Sequence, residues 1–96
     1  MKTDYQIAII MTLKKLREEQ GVTQAALAQF LDISPGQLGN IESCKQTHKY
    51  TLKQIVLLCR KFGYPIADLF MQKNDVNNNI DSVIDKIVEY EENKDF

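Results

Sequence analysis

Apolar positions along the chain recur every three to four residues, the period of an α-helix, and the pattern breaks at short polar or glycine-containing stretches. Tyr5, Ile9, Leu13 and Leu16 share one face of a first predicted helix, from about Asp4 to Gln20, which Gly21 ends. Leu27 and Leu31 share a face of a second helix opening at Thr23, whose hydroxyl can accept from a free N–H of the first turn. Ser34-Pro35-Gly36-Gln37 announces a third helix over residues 34–42: an N-cap serine, proline at the first helical position, and a glutamine placed to close a capping box. Thr51 and Gln54 repeat that pattern before Leu52, Ile55, Val56, Leu58, Cys59 and Phe62, and Gly63 stops this fourth helix. A short fifth helix runs from Pro65 to about Phe70. The periodicity then lapses until Ile80, Val83, Ile84, Ile87 and Val88 resume it in a sixth, amphipathic helix. The expected fold is all-α.

The second and third helices carry a finer signal. Ala28 lies beside the Leu27 and Leu31 stripe, where two steeply crossed short helices tolerate only a small side chain. Asp32 falls at the turn between them, where one residue usually adopts a left-handed conformation. Ile33, Leu38 and Ile41 face Leu27 and Leu31 across that turn. The pair reads as a helix-turn-helix.

From about Ile9 to Phe70 the chain resembles the phage-repressor type of helix-turn-helix domain, the Cro-like or XRE family. The matching marks are Leu13-x-x-Leu16-Arg17, Gly21-Val22-Thr23-Gln24, Leu27-Ala28, Ile33-Ser34, Ile41-Glu42, Phe62-Gly63 and Asp68-Leu69-Phe70, in that order. The resemblance implies a bundle of five short helices, to which the sixth is an addition. It implies that Gln24 bonds a DNA phosphate and that Arg17 and Glu42 form a partly buried structural ion pair. The chain departs from the family at Pro35, where a polar residue is common, at Gly39, which replaces a serine, and at Ser43-Cys44, where a glycine is usual. Its next loop ends in Tyr50-Thr51 instead of a Pro-Ser pair.

Composition narrows the setting. With 96 residues, 44% of them hydrophobic and 26% charged, the chain suits one modest globular core. The expected organisation is a DNA-binding domain over residues 1–73, a linker over 74–79, and a C-terminal amphipathic helix over 80–96. Charge is uneven: residues 1–73 are net +4 and residues 74–96 net −5, so the basic part is the part expected to face phosphates. No apolar run reaches membrane-spanning length, and no small-residue cleavage site follows residues 5–13, so a cytoplasmic location is expected without membrane association. Cys59 falls among apolar neighbours and reads as a small hydrophobe. Cys44-x-x-x-His48 is half of a metal site at most, with no second pair to complete it, so neither metal nor cofactor is expected.

In a helix-turn-helix the second helix enters the major groove with its N-terminal residues against base edges, while the first crosses the backbone. Pro35, Gly36, Gln37 and Asn40 form that outward face, with Gln37 and Asn40 as the side chains able to read a base. Thr23, Gln24 and Ser34 flank it as phosphate contacts, joined by Lys45, His48, Lys49, Tyr50 and Lys53 in the following loop and helix start. Gly36 and Gly39 each weaken a short helix by up to about 1 kcal/mol, so it depends on tertiary packing. One such domain reads few base pairs, and a homodimer is expected. Ile7, Ile10 and Met11 point away from the first helix's main stripe. Helix six, through Ile80, Val83, Ile84, Ile87 and Val88, either covers them within the chain or pairs across a dimer.

These features point to a small transcriptional regulator, most simply a repressor, binding double-stranded DNA. The other reading is an antitoxin-like adaptor whose C-terminal segment holds a partner protein, with DNA binding secondary or lost. A single histidine, no paired carboxylates in an expected cleft and no glycine-rich phosphate loop argue against an enzyme.

Overall fold

The computed structural model describes residues 4–44, 48–71 and 80–92, leaving aside the side chains of 80–82 and 92. Its regular structure over those residues is helical: α1 (Asp4–Glu19), α2 (Gln24–Leu31), α3 (Pro35–Ser43), α4 (Leu52–Phe62), α5 (Ile66–Phe70) and α6 (Ile80–Glu92). Helix starts follow the caps written in the sequence. Thr23 Oγ1 accepts the Ala26 N–H at 3.1 Å. Full capping boxes close at Ser34 with Gln37 and at Thr51 with Gln54. The C-terminal ends use left-handed residues: Gly63 (φ 65°) after α4, but Asp32 (φ 58°) after α2 and Cys44 (φ 57°) after α3. Those last two positions hold a side chain in a conformation that glycine adopts without steric penalty.

The core gathers Ile9, Ile10 and Leu13 of α1, Leu27 and Ala28 of α2, Leu38 and Ile41 of α3, Ile55, Leu58, Cys59 and Phe62 of α4, and Leu69 and Phe70 of α5. Ala28 is fully buried where α2 packs on α3, as the steric argument requires. Ile10 corrects the expectation of an outward apolar face, because it is completely buried. The reason is that α3, α4 and α5 all pack on α1, so more than one of its faces is covered. Ile7 is half-buried, and Met11 remains 48% exposed.

Helix α6 folds back onto its own chain. It packs on α5 through Val83, Ile87 and Tyr90, the last fully buried. Tyr90 stands edge-on to Phe70 at 5.9 Å between ring centroids, and its hydroxyl donates to the Tyr50 carbonyl at 2.8 Å. Its carbonyl accepts from Gln6 Nε2 at 3.1 Å and from Lys49 Nζ at 2.7 Å. Lys86 lies over the Tyr5 ring, 5.3 Å from its centroid, and the Tyr5 hydroxyl donates to the Phe70 carbonyl. Ile84 and Val88, expected on the inward stripe, are about half exposed, because the packed face runs through 83, 87 and 90 instead. The side chain of Ile80 and the expected linker 74–79 lie outside the described residues.

Arg17 and Glu42 join α1 to the end of α3. Arg17 Nε donates to Glu42 Oε2 at 2.8 Å and Nη2 to Oε1 at 3.0 Å, a two-pronged contact in which both side chains are nearly buried. Arg17 Nη1 also donates to the Val22 carbonyl at 2.8 Å, and Gln24 Nε2 to Glu42 Oε1 at 2.8 Å. The hydrogen bond to Glu42 holds the guanidinium pKa above its usual value, against the opposing effect of burial. Tyr50 packs nearby, fully buried, and its hydroxyl finds no partner among the described residues.

Three measurements check this account. Glu42→Gln should destabilise the fold by about 3–5 kcal/mol in urea melts, because it leaves the buried Arg17 charge without its counterion; an unchanged midpoint refutes the coupling. Cys44→Gly should raise stability by about 1 kcal/mol by relieving a left-handed residue, and a drop would show that the Cys44 side chain contributes more than its backbone strain costs. Burial pushes the Tyr50 and Tyr90 phenols above their ordinary value, so the folded state favours the neutral form. The stability this contributes is complete below about pH 10 and is lost as pH rises further. Tyr50→Phe should melt no lower than the parent at pH 7 and hold its stability to higher pH; a loss above about 1 kcal/mol at pH 7 would assign the hydroxyl a hydrogen bond.

Candidate nucleic-acid interface

The two faces of α3 are chemically opposite. Leu38, Ile41 and Glu42 point into the protein, while Pro35, Gly36, Gln37 and Asn40 are exposed and Gly39 is half-buried. The outward face thus presents two primary amides to solvent, with Leu38 and Ile41 anchoring the opposite face. The Asn40 side-chain amide is exposed and makes no hydrogen bond within the described residues; its backbone carbonyl accepts from Ser43 Oγ at 3.0 Å. Gln37 is differently placed. Its Oε1 accepts the Ser34 N–H at 2.9 Å, closing the capping box, and its NH2 group is left facing outward.

Residues expected to touch phosphates divide into groups. The Thr23 and Ser34 hydroxyls are exposed at helix starts, each accepting a backbone N–H and retaining its own O–H to donate. Gln24 is exposed at the start of α2 and uses one N–H on Glu42, leaving the other. His48 and Lys53 are exposed. Lys49 is half-buried, its ammonium on the Tyr90 carbonyl and 4.6 Å from the centre of the Tyr90 ring. Lys45 lies outside the described residues.

Tyr50 is a correction. Expected in a phosphate-binding loop, it is a core residue with no exposed surface, because the returning α6 closes over it and Tyr90 donates to its carbonyl. The tie from Tyr90 to Gln6, Lys49 and Tyr50 was missed from the sequence. A signal for it existed: Tyr90 continues the Val83 and Ile87 spacing by one more turn.

No group of three or more histidine, cysteine, aspartate or glutamate side chains among the described residues could hold a metal ion. Cys44 is half-buried and Cys59 buried, both as free thiols, with burial raising the Cys59 pKa. No helix among the described residues is long and apolar enough to cross a membrane.

The helix-turn-helix family profile matches residues 13–69, more than half of the chain. No curated protein and no solved structure matches it. The family is one of DNA-binding regulatory domains, not of enzymes. Its match runs through α2, the turn at Asp32 and α3, and this chain accordingly belongs to the XRE-type, Cro-like helix-turn-helix family of small sequence-specific DNA-binding regulators.

Proposed function

We propose that this regulator acts as a repressor, binding duplex DNA as a homodimer with the N-terminal half of α3 in the major groove. The observation that carries the reading is the exposed polar face of α3, set on a helix whose other face is locked into the core by Leu38, Ile41 and Glu42. Asn40, with both halves of its amide uncommitted, is the side chain suited to a two-point contact with adenine N6 and N7. Gln37 adds a second base contact. Thr23, Gln24, Ser34, His48 and Lys53 surround these as phosphate contacts that fix the register without reading sequence. Lys49 joins them only by leaving the Tyr90 carbonyl.

The dimer follows from the short reach of a single domain, with two half-sites roughly 34–36 Å apart on one face of the duplex. Met11 of α1 and Ile84 and Val88 of α6 are apolar side chains that stay exposed, open to a second copy. Occlusion of promoter DNA is the simplest consequence of such binding, for a chain of this size placed in the cytoplasm.

Fluorescence anisotropy with a selected duplex and a scrambled one, at several salt concentrations, tests the reading. Affinity should fall steeply with salt on both, and Asn40→Ala should weaken the selected duplex by about 1–3 kcal/mol while leaving the scrambled one unchanged. Binding no tighter than that of an acidic control protein would instead favour an adaptor working through α6.

A further inference from the structure

The capping box at the start of α3 limits what Gln37 can offer a base. Gln37 Oε1 accepts the Ser34 backbone N–H at 2.9 Å, and the Gln37 backbone N–H donates to Ser34 Oγ at 3.1 Å. Because the Ser34 N–H is a donor only, it dictates the amide orientation: the oxygen lies toward Ser34 and the NH2 group points away. Pro35 and Gly36, the two residues between them, carry no polar side chain that could take over this bond. Gln37 is exposed, and the packing of Leu38 and Ile41 on the opposite face determines which side of α3 it occupies.

We propose that Gln37 reads DNA through its NH2 group and selects guanine, an inference that rests on α3 occupying the major groove. An uncommitted glutamine favours adenine, since its oxygen accepts from N6 while its nitrogen donates to N7. The Gln37 oxygen is held 2.9 Å from the Ser34 nitrogen with one of its two lone pairs on that N–H, so it cannot turn edge-on to an adenine together with the nitrogen unless the box opens. Guanine presents two adjacent acceptors, N7 and O6, that one NH2 group serves as a lysine ammonium does, whereas thymine presents a single acceptor beside a methyl group. Opening the box to free the oxygen would strip the Ser34 N–H of its partner at the start of a helix already weakened by Gly36 and Gly39. Asn40, one turn further on and outside the box, keeps the full adenine-type code, so the two amides of α3 read differently.

Gln37→Glu isolates the effect. Glutamate closes the same box with one carboxylate oxygen and turns the other outward as an acceptor, so the helix start is preserved, as an unchanged melting temperature would show. In selections from a random duplex pool, the full chain should enrich guanine at one position of its site. Gln37→Glu should enrich cytosine there, changing the relative affinity for the two bases by about tenfold or more, whatever its added charge does to affinity overall. Adenine in the parent's selection at the position the substitution changes would overturn the inference. So would a uniform loss of affinity with every base preference intact, the mark of a phosphate contact. No enrichment at any position would overturn the assignment of DNA reading to α3 itself, and this inference with it.

Discussion

A guanidinium and a carboxylate taken out of water in the same small core hold three elements of this protein in one geometry. Arg17 leaves the last turn of the described fold's longest helix, grips Glu42 at the end of α3 with two parallel hydrogen bonds, and uses a third donor on the Val22 carbonyl just before α2. Gln24 adds its amide to the same carboxylate. Either charge alone would be strongly unfavourable at this depth, so α1, the entry to α2 and the exit from α3 are stable together or not at all. The direction in which α3 presents Asn40 and Gln37 is therefore set by the pair as well as by Leu38 and Ile41. That matters for a helix with glycine at two of its nine positions, whose own propensity is too weak to hold its shape.

The returning α6 adds a second tie, centred on Tyr90. One peptide carbonyl accepts from both α1 and the loop after α3, and the phenol above it donates to that loop's Tyr50 carbonyl. Lys49 and Tyr50, both expected at phosphates, are thereby tied to the core rather than set on an independent arm. Lys49 illustrates the outcome: it is a cation with a satisfied internal role, where His48 and Lys53 are exposed at either side. Tyr50 illustrates it further, because its aromatic ring fills the core beside the ion pair although the residues around it are polar.

The helices and their starts were legible along the chain. Thr23, Ser34 and Thr51 each precede a residue that completes a cap, and a cap needs only neighbours within one turn. The left-handed turn at Asp32 and the small residue at Ala28 were legible for the same reason, since the motif is local and its steric demands recur at fixed spacing. The candidate reading face was legible too, because Pro35, Gly36, Gln37 and Asn40 occupy the angles of α3 opposite its apolar ones. Where local rules ran out, the assignments shifted: Ile10 turned from outer surface into core, and the packed edge of α6 moved from Ile84 and Val88 to Val83, Ile87 and Tyr90.

What could be settled from the order of residues was thus the set of helices, their caps, the helix-turn-helix pair and the polarity of its outer face, all of which depend on interactions between residues a few positions apart. Three-dimensional packing decided the rest: that α6 folds back on its own chain, and that Tyr50 is buried and Lys49 engaged. Both depend on contacts between residues some forty or more positions apart, which no periodicity encodes.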